Sequence, residues 1–482
     1  MLLSKADSER TLNLNDRIRS DDPTAAYLHI PFCRRRCFYC DFAVSVVGDR
    51  LPTARQDGVS EPLTGSNSGT IGRYVEILCQ EICTTPSFEK PLQTVFFGGG
   101  TPSLLAVEQL RQILMTLEQQ FGIAPDAELS MEIDPGTFDL AQLKGYRAAG
   151  INRVSLGVQA FQPALLQACG RSHTVADVYQ AVEWVRQAGF ENFSLDLISG
   201  LPHQALNDWQ ESLEKAIALE PPHLSCYDLT IEPVTAFGRQ YKPGMQPLPS
   251  DETTAEMYRL AQRLLTAAGY DHYEISNYAK PGYQCCHNRV YWENRSFYGF
   301  GMGATSYLEL DRFCRPRKTR EYYEWVEERQ KAEGRRQKVE HRELEGRNQE
   351  PELTQRKETQ GKERNIGFPD PTPYTLHSIP DRLLDTLMLG LRLAEGLSIP
   401  ALIEQFGLPM CERVWSCLQP FYGNGWVMVS DPTQSDQTTQ KPLPSIALPR
   451  CGRLRLTDPE GFLFSNVILI ALFEALDDEV VR

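Results

Sequence analysis

No part of this 482-residue chain is apolar for long enough to cross a bilayer: the longest apolar run, Val467 to Phe473, is about a third of a spanning helix. The first 20 residues are polar and of mixed charge, with no apolar core, so no secretory leader is expected. Positive charge is in short supply, with 49 Lys and Arg against 63 Asp and Glu and a net charge of -14. That balance argues against a nucleic-acid partner held by its phosphates. Neither the phosphate-binding loop ending in Gly-Lys-Ser/Thr nor the dinucleotide pattern G-x-G-x-x-G is present. Cysteine is not scarce, at 13 residues, but most are scattered, and with no leader they point to a reducing compartment rather than a disulfide framework. The expectation is a soluble, cytoplasmic protein. Its apolar C-terminal helix should pack in a core, with docking on a membrane surface or partner as the lesser alternative.

What is present near the N-terminus is a cysteine triple that lacks a fourth member. Cys33, Cys37 and Cys40 stand in Tyr27-Leu-His-Ile-Pro-Phe-Cys-Arg-Arg-Arg-Cys-Phe-Tyr-Cys, a C-x3-C-x2-C spacing. A closed zinc site and an ordinary ferredoxin cluster each take four ligands. Three ligands suit an iron–sulfur cluster with one iron left open to chelate another molecule. In this spacing the motif resembles the radical SAM superfamily, in which S-adenosylmethionine (SAM) occupies that iron through its amino and carboxylate groups. Zinc held with His29 as fourth ligand, a disulfide and chance spacing are the competing explanations. The position of the motif in a loop directly after an apolar strand favours the cluster.

Residues 25 to about 310 alternate short apolar runs with amphipathic ones. Strands are expected at Ala25–Ile30, Thr94–Phe97, Leu129–Ile133, Arg153–Val158, Phe193–Ile198 and Leu224–Thr230. Helices are expected at Arg73–Ile82, Ala106–Phe121, Leu140–Ala149, Ala176–Ala188, Asn207–Ala218 and Asp251–Ala268. Six strand–helix units predict an α/β fold, a partial (β/α)6 TIM-like barrel. A tail (1–24) precedes this core (25–310). A polar insertion (48–72) interrupts it, and a charged, partly disordered linker (311–373) follows, whose stretch Thr319–Ala332 has helical character. The last unit (374–482) reads as a small α+β domain of winged-helix-like type.

Ligands of αβ barrels sit at the C-terminal ends of the strands, and the distinctive residues of this chain fall there one strand after another. Strand two ends in Gly98-Gly99-Gly100-Thr101-Pro102, where missing side chains let backbone approach a ligand, or simply form a tight turn. Glu132 ends strand three, Gln159 ends strand four, Arg171 follows, and Asp196 interrupts an apolar strand five. Such carboxylates are costly to bury unless paired or liganded. They suit a cationic, nucleoside-bearing ligand; internal ion pairs with arginine are the alternative. Downstream, Cys285-Cys-His-Asn-Arg-Val-Tyr-Trp places His287 among aromatics, ahead of Gly299-Phe-Gly-Met-Gly in a segment spanning 285–303. That is a setting for a heme ligand or for a satisfied core histidine.

Taken together, these motifs resemble the oxygen-independent coproporphyrinogen III oxidase family of radical SAM proteins. They are Tyr27-Leu-His-Ile-Pro-Phe-Cys with its two further cysteines, Phe97-Gly-Gly-Gly-Thr-Pro, Glu132-Ile-Asp-Pro, Leu156-Gly-Val-Gln, Asp196-Leu-Ile-Ser-Gly-Leu-Pro and Arg455-Leu-Thr-Asp-Pro-Glu-Gly. Oxidases of that family carry a cysteine two residues after the third ligand, and a longer N-terminal arm. Here that position is Phe42, and only 26 residues precede Tyr27. His287-Asn-Arg-Val-Tyr-Trp is similar to the His-Asn-x-x-Tyr-Trp signature of the family's heme-chaperone branch. The resemblance implies a 4Fe–4S cluster on Cys33, Cys37 and Cys40. It implies SAM contacts from Tyr27, Tyr39, Gly99, Gly100, Thr101, Glu132, Gln159, Arg171, Asp196 and Thr230, and His287 associated with heme. A heme carrier serving acceptors such as respiratory enzymes is the expected function, with coproporphyrinogen oxidation as the alternative.

Overall fold

A computed structural model of the chain describes residues 22–48, 69–88, 90–332, 379–430 and 447–477. The expected tail as far as residue 21, and the segments 49–68 and 333–378, lie outside the described residues.

Six parallel strands form the core: β1 (Ala25–Ile30), β2 (Leu92–Gly99), β3 (Ile123–Ile133), β4 (Arg153–Gln159), β5 (Asn192–Ser199) and β6 (His223–Asp228). They pair in chain order, β1 to β6. The crossovers are α1 (Gly69–Cys83), α2 (Val107–Phe121), α3 (Leu140–Ala149), α4 (Val175–Gln187) and α5 (Leu206–Ala218), with α6 (Asp251–Ala267) after β6. Strands buried on both faces are what helices on a parallel sheet require. Local chemistry sets the helix ends. The Asp139 side chain accepts from Gln142 N at the start of α3, Thr174 and Asp177 cap each other at the start of α4, and Gly150 closes α3 in the left-handed region.

Three short strands extend the sheet beyond the six foreseen. They are β7 (Asp271–Glu274), β8 (Asn277–Ala279) and β9 (Tyr298–Phe300). The full order is β9-β1-β2-β3-β4-β5-β6-β8-β7, with β9 parallel to β1 and the β8–β7 hairpin antiparallel on β6. Each is too short to show a period in the sequence.

Two sequence boundaries are corrected. Gly69–Gly72 are not insertion but the first turn of α1. Residues 311–332 are not linker: Thr305–Leu308 and Asp311–Cys314 form a hairpin, and a helix covers 319–332 with Tyr322 and Val326 buried against the core. The buried Arg315 meets the fully buried Glu81 at 2.8 Å, and Tyr322 Oη donates to the same carboxylate at 2.7 Å. A charge count reads these residues as solvated, but pairing hides their charge inside.

The C-terminal unit runs helix (Ile379–Gly390), strand (Leu397–Ser398), two helices (Ile399–Phe406, Leu408–Gly423), then strands Val427–Ser430 and Arg453–Leu456. The last strand lies between the other two in an antiparallel sheet, the winged-helix order expected. The Arg455-to-Gly461 motif turns out to be its dock onto the barrel. Asp458 Oδ1 lies 2.9 Å from His272 Nδ1, and Glu460 takes Arg259 in a two-pronged pair at 2.7 and 3.0 Å. No helix among the described residues is long and apolar enough to cross a membrane.

Candidate functional site

The C-terminal ends of the strands enclose a cavity of about 400 Å³. Cys33, Cys37 and Cys40 line it together with Tyr39, Gly99, Gly100, Thr101, Glu132, Gln159, Arg171, Asp196 and Thr230. Twelve of the fourteen candidate residues, from seven separate parts of the chain, thus meet around one cavity.

The cysteine loop leaves β1 and folds back, and Phe32–Cys33 pairs with Ser45–Val46. All three thiols are free. Each of two sulfurs already has a hydrogen-bond donor: Thr101 Oγ1 lies 3.8 Å from Cys33 Sγ and Arg171 Nη1 lies 3.5 Å from Cys37 Sγ. Burial pushes the Cys33 thiol up to about 12, so this side chain gives up a proton when it takes metal. His29 is not a fourth ligand. Its Nδ1 bonds Tyr27 Oη at 3.0 Å and its Nε2 bonds Ala43 O at 2.8 Å.

The glycine run is dictated by close packing. Gly99 sits at φ +110°, and a Cβ there would lie 2.5 Å from the His29 ring. At Gly100 a Cβ would come within 2.7 Å of Phe32 O, so side chains here would push the cysteine loop out. Gly99 N donates to Glu132 Oε2 at 3.0 Å.

The floor is a set of part-buried carboxyls. Burial, and then the charge of Asp196, push Glu132 up to about 8. Asp196 is also raised by burial, against hydrogen bonds from Ser155 (2.7 Å) and Ser194 (3.0 Å) that favour its anion. Arg171 bonds the Asp134 carboxylate and, at 2.8 Å, Gly157 O. Its alternative reading as an internal ion pair is therefore realised, although it still lines the cavity. A strand irregularity between Gly157 and Gln159 turns Gln159 into the left-handed region at φ 67° and into the cavity. Sequence reasoning passed over Asp134, Ser155, Tyr227, Asp228 and Phe42 as site residues, though all line the cavity. The first could have been found from its place two residues after Glu132, just beyond the C-terminal end of β3. It also missed Arg153, a buried guanidinium on β4 whose charge favours the anions of Glu132 and Asp196.

Two expected contacts fall elsewhere. Tyr27 does not line the cavity; its ring lies beside Phe96 and its hydroxyl is engaged by His29. His287 is fully buried on α7 (Cys286–Trp292), at the other end of the barrel. Its Nδ1 meets Thr94 Oγ1 and its Nε2 meets Tyr291 Oη, each at 2.8 Å, and its ring stacks on Phe96. Thr94 is five residues before Gly99 on β2, or about 16 Å at 3.3 Å per residue. Burial lowers His287 to about 3, and no ring nitrogen is left for an iron. In this structure the histidine has the surroundings of a satisfied core residue.

The thiols with their donors, the carboxyl floor and the cavity size fit an open-site cluster with SAM. The comparisons agree. The model of the Radical SAM superfamily matches residues 27–216. The solved structure of coproporphyrinogen III oxidase HemN from Escherichia coli aligns over 97% of this chain and 94% of its own, with a TM-score of 0.68 at 20% identity, a likeness of fold. The heme chaperone HemW of Escherichia coli (strain K12) is 38% identical over 62% of this chain and 74% of its own length. The heme chaperone HemW of Synechocystis is 44% identical over 95% of this chain and 98% of its own length. A chain so alike from end to end, built on a radical SAM barrel, belongs to the HemW family.

Proposed function

We propose that this protein binds heme and passes it to acceptor proteins such as respiratory enzymes, using a radical SAM barrel as its frame. The observation that carries this reading is the match to HemW across nearly the whole of both chains. The cavity agrees with it: where oxidases of the wider family are expected to have a further cysteine, Phe42 lines the wall.

A 4Fe–4S cluster on Cys33, Cys37 and Cys40 supplies an iron with an open position for the amino and carboxylate groups of SAM. The chain's own residues do the rest. Glu132 and Asp196 present carboxyl oxygens to the ligand, and a cationic ligand beside them favours their charged forms. Ser155 and Ser194 hold Asp196 in place, and Asp134 holds Arg171 against the cysteine loop. Coproporphyrinogen oxidation is the less supported alternative, since the likeness to the oxidase is one of fold.

The test is anaerobic reconstitution followed by hemin titration, transfer of heme to an apo-acceptor and a coproporphyrinogen assay on one sample. Hemin binding and transfer without protoporphyrinogen formation is expected. Turnover of coproporphyrinogen would overturn the carrier reading.

A further inference from the structure

The side chains directly beneath the cavity floor are polar, at a level where an αβ barrel is ordinarily filled by branched apolar ones. Ser155 and Asp196 line the cavity, so the residues two before them, Arg153 on β4 and Ser194 on β5, point the same way one step deeper. Strand register places His223, on β6, directly beside Ser194, and Ser225 directly beside Asp196. Arg153, Ser194, His223 and Ser225 are all buried. Polar groups packed so deeply destabilise a fold unless their hydrogen bonds are made.

They are made as a chain that descends from the floor. Ser194 Oγ donates to Asp196 Oδ1 at 3.0 Å. The same Oγ meets His223 Nδ1 at 2.9 Å, and His223 Nε2 meets Tyr273 Oη, on β7, at 2.9 Å. Cys285 N, at the N-terminus of α7, donates to Tyr273 Oη at 3.3 Å and ends the chain.

The last member sets the direction of the others. Tyr273 Oη accepts from the Cys285 amide, and its own proton has His223 Nε2 as its acceptor among the described residues. A proton on Nε2 would leave the buried Tyr273 hydroxyl with nothing to donate to. Burial, helped by the charge of Arg153, lowers the His223 pKa well below its ordinary value, so the ring is neutral. A neutral imidazole with a bare Nε2 carries its one proton on Nδ1. Nδ1–H therefore donates to Ser194 Oγ, and Ser194 turns its proton to the Asp196 carboxylate, a stronger acceptor than the Ser225 hydroxyl 3.2 Å away.

The other groups that act on Asp196 come from the flanking strands: Glu132 on β3, Arg153 and Ser155 on β4, and Ser225, Cys226 and Tyr227 on β6. Burial raises Cys226 and Tyr227 and keeps both protonated, so the charges beside Asp196 are those of Arg153 and Glu132. Arg153, Ser155 and Ser225 favour the Asp196 anion together with Ser194.

We infer that His223 is a positioning residue of the cavity: held by Tyr273 as its Nδ1–H tautomer, it turns the Ser194 hydroxyl toward Asp196 and so presents that carboxylate as an acceptor to the donor groups of bound SAM. This rests on the reading of the cavity as a SAM site. Protonation of Asp196 on Oδ1 reverses the chain. Ser194 then points to Nδ1, the imidazole proton sits on Nε2, and the Tyr273 hydroxyl loses its acceptor.

Histidine-selective 15N labelling of the full chain reads the tautomer directly. The His223 signal is assigned by its loss in His223→Gln or, where that variant does not fold, by its shift in Tyr273→Phe. The Nδ1–H pattern is expected in the wild type, and an Nε2–H pattern there would overturn the proposal. SAM binding to the anaerobically reconstituted chain is then followed from pH 5 to 8. Tyr273→Phe should weaken it roughly two- to tenfold, most at the acid end, because one hydrogen bond that favours the anion is released. That loss should vanish in an Asp196→Asn background. A Tyr273→Phe chain with a lowered unfolding midpoint but the wild-type SAM pH profile would show a merely structural role and overturn the proposal. A wild-type chain that shows the Nδ1–H pattern yet binds no SAM would instead sink the SAM reading of the cavity.

Discussion

The two ends of the barrel carry the same kinds of residue to opposite effect. At the mouth, cysteines, carboxyls and arginines face a cavity, with thiols free and Arg35 without a hydrogen-bond or ion-pair partner among the described residues. At the base, a histidine, two cysteines and a carboxylate close the barrel. Glu128 accepts from Cys286 N at 2.9 Å and His287 N at 3.1 Å, fixing the first turn of α7, while Thr94 and Tyr291 use both nitrogens of His287. The same residue types thus line a cavity at one end and, with their polar atoms engaged away from any cavity, act as struts at the other.

The contrast breaks most visibly at the cysteines. Cys37→Ala should abolish the cluster altogether, read as iron and acid-labile sulfide after anaerobic reconstitution; a full cluster in that variant would remove the loop from the site. Next in size is the floor. Asp196→Asn keeps the shape but loses a charge-assisted contact worth about 1.5–3 kcal/mol, or roughly 10–150-fold in SAM affinity. An unchanged SAM isotherm would mean that Asp196 serves only Ser155 and Ser194.

The base should answer with stability instead. His287→Ala strands the Thr94 and Tyr291 hydroxyls and should cost about 1–3 kcal/mol in denaturant unfolding, while the folded protein still binds hemin. Loss of hemin binding at unchanged stability would make the base a functional end after all.

The smallest effects are in pH, and the two ends should have opposite signs. Glu132 has a folded-state pKa of about 8, above the ordinary 4.5, so it takes up a proton on folding. Its contribution is present at low pH and is lost as pH rises between these values, while affinity for cationic SAM rises over the same window. His287 is lowered to about 3 from 6.5, so its contribution is present above 6.5 and lost as pH falls toward 3. Glu132→Gln should flatten the first dependence and leave the second. A SAM affinity that stays flat between pH 5 and 8 in the wild type, at roughly the spacing these shifts imply, would assign the floor another charge state.

Much of the site was legible because it follows strand order. Each β-strand of a parallel barrel delivers its last residues to one rim, so Cys33, Gly99, Glu132, Gln159 and Asp196 could be placed from alternation alone. Tyr27 and His287 could not. Tyr27 is three residues short of the end of β1, and its hydroxyl found His29 before any ligand. His287 sits in a motif with the composition of a heme site, and nothing in that composition says which end of the barrel α7 closes. The register Thr94↔Glu128 settles it, because it puts the helix cap and the histidine's partner at the same low level of adjacent strands. The buried Glu81–Arg315 pair misled in the same way. A charge in sequence looks solvated until its partner, 234 residues away, is known.

The sequence by itself determined the strand–helix alternation, the open cysteine triple and the carboxyls at the strand ends, because these depend on local periodicity and on position along a strand. The tertiary structure decided which polar groups are spent and which are free. It closed His29 and His287 in hydrogen bonds, committed Arg171 to Asp134, turned the Arg455-to-Gly461 motif into an interdomain dock, and left Phe42 and Arg35 on the cavity wall. Satisfaction of a polar group depends on neighbours remote in sequence, and only folding brings them together.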